Sequence, residues 1–461
     1  MSESMFKLWM ATARRAPSAV AVTDREARRD WTREGLSRAA GELAASLARG
    51  GGAALAGHRV AMAVPNGAEW FKVFLALLGA GASPVPMDSS EPEVAQRALA
   101  ASAGASHLWS AGALHRLASR SRRAAPGECL VKLTSGSSGA PKALSVTHAQ
   151  LAADGRQICE SMGIGPGDVN LAAIPLGYSY GLGNVVAPLL LQGSRSVCIS
   201  AALPHAVAAA VREDGATVFP AVPPILRALV ESDVPAGSLK GLRLVISAGS
   251  PLSRDLAQAF AAKFGIRVHG FYGTSETGGI AYDRNGEATL EGRSVGTPLS
   301  GVSVTAAPGG RLRVASPAVA GRGAFTPADR AVIDKAGELV LQGRTDRMVK
   351  IAGRRVDLAE VEAALRSVPG VRDAHAAMDT GPGASLGAAV ATDHSAAAVR
   401  RILRGRIAPW KVPERIVVLG EFPRTARGKT DVAKLRQLLA APRIATSIST
   451  FSASRQTSAR R

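Results

Sequence analysis

The chain has 461 residues, too many for one ordinary hydrophobic core, so two or three compact units are expected. Its 46% apolar and 20% charged residues are a globular balance, not a disordered one. The net charge of +20 invites an anionic partner, but only 11 of the 56 basic residues are lysine, and a coding bias toward Arg, Ala and Gly explains most of the excess; 4% aromatics and no recognised nucleic-acid module argue against a stacking platform for single strands.

The start, MSESMFKLWMATARRAP, lacks the apolar core of a signal peptide. The apolar run from Trp70 to Met87 is broken by Lys72 and rich in Gly and Pro, a poor membrane span. Cys129, Cys159 and Cys198 are isolated and suggest no zinc spacing, so a soluble, cytoplasmic protein with buried thiols is expected. From residue 18 to 110 strands and helices alternate. AVAVTD, RVAMAVP and SPVPMD read as strands. Between them, Leu36, Leu43 and Leu47 share one helical face, GAEWFKVFLALLGAG reads as a buried helix, and another helix runs through 91–103. This alternation predicts βαβ units and a mainly parallel sheet.

Two short apolar strands, LVKLT and ALSVT, then flank TSGSSGAPK. A run of Gly, Ser and Thr cannot pack a core. It can turn backbone N–H groups and hydroxyls toward an anion, with Lys142 at its edge; alone, a hairpin turn or flexible linker explains it equally well. It is not the Walker loop, because its glycines are Gly136 and Gly139 and Ala143 follows the lysine. Thr147 is placed to cap a helix from Ala149 to about Met162. Further αβ units follow, and IRVHGFYG ends in TSETGG, which puts Glu276 at the carboxyl end of a strand, where open α/β sheets bind ligands. From residue 293, VSVTAA, RLRVAS, AVID and ELVLQG predict a small β-rich subdomain. A helix is predicted over Leu358–Arg366, then a compact α/β unit to about Leu439 and a disordered Ser/Thr/Arg-rich tail.

Together these motifs resemble the adenylate-forming (AMP-binding) superfamily of acyl-CoA synthetases, adenylation domains and luciferases, over about residues 10–440. Thr134 to Ala143 matches the family's glycine loop and Tyr272 to Glu276 its Tyr-Gly-x-Thr-Glu. Thr326 to Asp329 resembles the ribose-binding Thr-Gly-Asp, with one residue inserted. Gly343 to Asp346 and Lys350 to Arg355 match the hinge and the segment after it, and Pro423 to Lys429 the closing motif. Ala143 replaces a loop glycine, Ser275 stands for Thr, Tyr178 stands where many acyl-CoA synthetases carry His, and Val432 where a basic residue is common.

The resemblance implies an α/β fold: a large N-terminal ATP- and acid-binding domain of stacked αβ sheets with a small β-rich subdomain (1–345), a small mobile α+β C-terminal domain (346–440), and the tail 441–461. It implies a two-step ligase using ATP, Mg²⁺ and either CoA or carrier-protein phosphopantetheine. Thr134, Ser135, Gly136, Ser137, Ser138, Gly139 and Lys142 would face the phosphates. Ala248, Gly249, Ser250, Tyr272 and Gly273 would hold the adenine side, Asp329 the ribose, and Arg344 would complete the nucleotide site. Glu276 and Thr134 would serve the metal, and Ser275 the α-phosphate. Lys429 would bridge carboxylate and α-phosphate, while Asp346 is the hinge and Gly353 admits the pantetheine arm. Arg354, Arg355 and Arg406 would meet CoA phosphates or stand in solvent. The acid pocket would comprise Tyr178, Tyr180, Gly181, Val222, Gly278, Gly279 and Ile280, apolar with two phenols and no fixed charge, suited to an aromatic or fatty acid. Three readings stay open: an acid–CoA ligase, an acyl-AMP ligase loading a separate carrier, and a non-catalytic adenylate-binding homologue. An α-amino-acid adenylation domain is disfavoured because PLGYSYGL holds no aspartate.

Overall fold

The computed structural model describes residues 3–49, 55–118, 121–135, 141–308, 310–321, 323–344, 348–351, 354–378, 385–423 and 431–440. The tail, the loop glycines Gly136 and Gly139 with Ser137 and Ser138, and Asp346, Gly353 and Lys429 lie outside the described residues.

The largest sheet has nine strands, and its parallel heart runs Val268–Thr274, Leu244–Ser247, Val218–Ala221, Val169–Ala172, Arg195–Cys198 and Val20–Asp24. These segments are almost entirely buried, as parallel strands covered on both faces must be. The alternating units of the first hundred residues are present but are divided between two sheets. Val20–Asp24 joins the large sheet, whereas Arg59–Ala63 pairs in parallel with Ser83–Pro86 and His107–Ser110 in a sheet of four strands. Periodicity fixes a strand's faces and leaves its partner open, which is why this division was not visible beforehand.

The helix His148–Met162 starts one residue earlier than expected, with Thr147 and Gln150 forming a reciprocal capping box. It packs against the helix Ala187–Gln192 through Gly155, where a Cβ would come within 2.6 Å of Ala187 and 2.7 Å of Leu191. An unpredicted helix, Met5–Arg15, is capped by Ser4 and buries Met5 and Trp9 completely. The segment after Tyr178 is a short helical turn followed by a π-helical stretch, Leu182–Val186. All three cysteines are free and buried, and burial pushes the Cys159 thiol up to about 12.

The β-rich part after residue 293 is a sheet of Ser303–Ala307, Arg311–Ala315, Asp329–Ile333 and Leu339–Arg344, with Ala324–Phe325 on one side. Beyond it come the hairpin Met348–Ile351/Arg354–Asp357, the helix Leu358–Arg366, and a sheet of Val371–Met378, Leu386–Thr392 and Arg415–Leu419. Val356, Val361, Leu365, Val390, Val399 and Leu403 close a hydrophobic core of their own there. No described helix is long and apolar enough to cross a membrane.

Candidate active site

Strand direction assembles the site. Leu244–Ser247 runs parallel to Val268–Thr274, so the segments leaving them, Ala248-Gly249 and Ser275-Glu276, emerge on one edge of the sheet. Val268–Thr274 turns back into Gly278–Tyr282 through a tip of three residues, Ser275 to Thr277. The Thr274 and Thr277 hydroxyls meet at 3.0 Å, and Gly278 takes the left-handed φ of +70° that closes the turn. Ser275 and Glu276 are thereby held at the edge by a fixed hairpin.

Behind that tip lies a cavity of about 730 Å³, open at its mouth. Its walls come from six remote parts of the chain: Leu133-Thr134, Asp154 with Ile158, the 178–184 segment, Ala248-Gly249, the 271–279 hairpin, and Lys350 with Arg355. Tyr180 is anchored by its hydroxyl, which donates to the Ile246 carbonyl at 3.1 Å, and its ring lies 5.9 Å from that of Phe271. A second hollow of about 660 Å³ adjoins it, sharing Thr134, Tyr178, Ser275 and Arg355.

Of the nucleotide-side residues, Thr134, Ala248, Gly249 and Gly273 line the cavity. The Tyr272 hydroxyl donates to the Asp329 carboxylate at 3.0 Å, joining the adenine and ribose candidates. Thr134 pairs with Lys142 across the glycine hairpin, and its hydroxyl donates to the Lys142 carbonyl at 3.3 Å. Ser135 and Pro141 also pair in this hairpin, Ser250 follows the lining residues Ala248 and Gly249, and Arg344 pairs with Asp329 across the β-rich sheet. Glu276 stands in the hairpin tip beside Ser275, which lines the cavity, and among the described residues no cluster of metal-ligating side chains occurs. One carboxylate fits Mg²⁺, which takes most of its ligands from phosphates and water.

The acid pocket differs from expectation. Tyr178, Tyr180, Gly278 and Gly279 line the cavity, but Val222 and Ile280 are buried in the cores, and Gly181 is pressed against the Pro175 backbone; none of these three lines it. Nor is the cavity without charge. Asp154, 4% exposed, lines it and accepts from the Gly279 N–H at 2.8 Å. Burial pushes the Asp154 carboxyl up, opposed by the Lys132 charge and that N–H. Lys132, equally buried, donates to the Ser275 carbonyl at 3.4 Å; burial pushes its ammonium down, opposed by the Asp154 and Glu276 charges. The signal for Lys132 was a cation inside the apolar strand LVKLT. Asp154 had none, because a polar residue on a helix ordinarily faces water.

The arginines of the hairpin face the large domain. The Arg355 guanidinium lies 3.4 Å from the Ser275 hydroxyl and 3.8 Å from the Glu276 carboxylate. Arg354 pairs with Asp88 at 2.7 Å, and the Trp410 indole N–H donates to the same carboxylate at 2.6 Å. Lys411 joins Glu91 at 2.6 Å and Glu360 at 2.8 Å. Arg406 is bonded to Ser367 on the outer surface.

The family model of the AMP-binding enzymes matches residues 9–132 and 123–317, and that of the AMP-binding enzyme C-terminal domain matches 360–429. Benzoate–CoA ligase of Thauera aromatica is 28% identical over 76% of this chain and 74% of that protein. Phenyloxazoline synthase MbtB of Mycobacterium sp. (strain MCS) is 31% identical over 81% of this chain, which spans 37% of that longer protein. The structure of the amide bond synthetase McbA from Marinactinospora thermotolerans superposes with a TM-score of 0.83 at 23% identity, covering 95% of this chain and all of the other.

Proposed function

The chain belongs to the AMP-binding enzyme family, and on that premise we propose that it is an acid–thiol ligase of the acyl-CoA synthetase type. It activates an aromatic or fatty acid with ATP to acyl-AMP and pyrophosphate, then transfers the acyl group to the thiol of CoA. The observation that carries this reading is the cavity walled jointly by the glycine-hairpin strand, the 273–279 hairpin and the side of the chain that brings Lys350 and Arg355.

In the first step a carboxylate oxygen forms a bond to the α-phosphorus while the bond to pyrophosphate breaks. Several negative charges meet, so catalysis is positioning and neutralisation. Thr134 and the loop to Gly139 hold the phosphates, Tyr272 and Asp329 orient the nucleoside, Ser275 reaches the α-phosphate, and Lys429 bridges the two reacting groups. Glu276 and the Thr134 hydroxyl would hold Mg²⁺, which would supply further positive charge. In the second step the thiol sulfur attacks the acyl carbon, AMP leaves, and the thiol proton is released. Gly353 allows the pantetheine arm a close approach. The separate core beyond Val356 supports treating 346–440 as a unit that moves about Asp346, presenting Lys429 for one step and the Gly353 segment for the other.

Transfer to a carrier protein is the second reading, favoured by the similarity to MbtB. Acid-dependent ATP–pyrophosphate exchange over a panel of aromatic and fatty acids, followed by competition between CoA and a phosphopantetheinylated carrier, tests both. Exchange with a thioester formed on CoA is expected. Exchange with transfer only to the carrier would select the second reading.

A further inference from the structure

The inner wall of the cavity is polar in a way that the proposed reaction does not use. Asp154 seats one carboxylate oxygen on the Gly279 N–H, and among the described residues its other oxygen has no hydrogen-bond partner. Asn184, on the π-helical stretch, is fully buried and lines the same cavity, yet neither its amide oxygen nor its amide nitrogen has a partner among the described residues. A buried amide left unpaired on both atoms carries a desolvation penalty unless something enters to bond it. π-Helical insertions such as Leu182–Val186 recur at functional sites for this reason: they aim one side chain where a regular helix would not.

The backbone around the carboxylate is cleared for it. A Cβ on Gly183 would stand 3.2 Å from the second oxygen of Asp154, and a Cβ on Gly278 would run into the first. Lys132 supplies the compensating charge but makes no direct ion pair with Asp154, so the carboxylate keeps an acceptor to offer. Tyr180 cannot fill that role, because its hydroxyl is committed to Ile246.

Resting on the acid-activation reading, we propose that Asp154, with Asn184, is the specificity determinant of the acid pocket and selects an aromatic carboxylic acid carrying a hydrogen-bond donor, a hydroxyl or ring N–H, on the side remote from its carboxylate. An acid lacking that donor leaves the Asp154 oxygen and the Asn184 amide dry and unpaired. A site built around a hydrogen bond discriminates far more strongly than an apolar slot does.

The test is acid-dependent pyrophosphate exchange with the full chain on shape-matched pairs: hydroxybenzoates against fluorobenzoates, and indole carboxylates against benzofuran carboxylates. A preference of at least roughly 10²-fold in kcat/KM for the donor-bearing member of one pair is expected. Asp154→Ala should bring that preference to within a few-fold of unity, mainly through KM for the acid. Asn184→Leu should lower it partially, which keeps the proposal testable if the Asp154 variant does not fold. Whether hydroxyl or N–H is read follows from which pair responds. Robust exchange with equal rates within every pair would overturn this inference and leave the activation reading standing. Absence of exchange with every acid, while the protein binds ATP, would overturn the activation reading and the inference with it.

Discussion

Arg355 places its guanidinium 3.8 Å from the carboxylate of Glu276. In the proposed function a metal–nucleotide complex would need the same carboxylate, and the hairpin cation would compete with it. A partly exposed pair of this kind is worth up to about 1 kcal/mol, roughly a five-fold shift in population. Arg355→Ala is therefore expected to tighten Mg²⁺·ATP binding a few-fold while slowing acyl transfer to the thiol. Separate single-turnover measurements of the two steps, with labelled acid, check this; unchanged nucleotide affinity would break the link.

The docked position of the C-terminal unit is held by Lys411 between Glu91 and Glu360, beside the Asp88–Arg354 pair. Lys411→Met would leave two carboxylates facing each other out of water. Breaking such a buried arrangement costs about 3–5 kcal/mol, and here undocking can relieve it. Small-angle scattering should show a larger radius of gyration for the variant, with secondary structure retained. An unchanged scattering profile would mean that other contacts hold the interface.

Arg59 ties the four-stranded sheet to the glycine hairpin through Glu128, with bonds of 2.9 and 2.6 Å, and Ser145 donates to the same carboxylate at 2.6 Å. Burial alone drives the Glu128 carboxyl up. The hydrogen bonds from Arg59 and Ser145 and the Arg59 charge outweigh burial and hold it below the usual carboxylate range. A folded value below the unfolded one means that this stabilisation is present above the unfolded pKa and lost as pH falls through the folded pKa. Glu128→Gln should lower stability by about 3–5 kcal/mol near neutral pH and flatten the acid limb of the stability curve. Urea unfolding from neutral to acidic pH measures both, and an acid limb as steep as the wild type's would refute the assignment.

Much of this was legible because strands and turns have local signatures. The Leu358–Arg366 helix, the strands around TSGSSGAPK and the Glu276 turn stand where their residues put them. What stayed hidden is three-dimensional. Val222 and Ile280 carry pocket-like side chains but turn into the cores. Asp154 and Asn184 are polar side chains on helical segments, where such residues ordinarily face water, and only packing shows that they face a cavity. The Arg354 and Arg355 side chains, read as CoA or solvent contacts, meet Asp88, Ser275 and Glu276 instead, a docking that no local pattern encodes.

Within the reaction itself, Lys429→Ala should reduce acyl-adenylate formation by several orders of magnitude while sparing ATP binding. Glu276→Gln should raise the Mg²⁺ concentration needed and weaken ATP use together. Gly353→Leu should instead spare pyrophosphate exchange and block thioester formation. Equal loss of both steps in a folded Gly353→Leu protein would contradict the alternation of the C-terminal unit.

The central claim is that the acid's own oxygen attacks phosphorus. It is tested most directly by supplying an accepted acid labelled with heavy oxygen at its carboxyl group and weighing the AMP released after thioester formation by mass spectrometry. The proposed reaction predicts one labelled oxygen transferred to each AMP. Thioester formed alongside unlabelled AMP would contradict it.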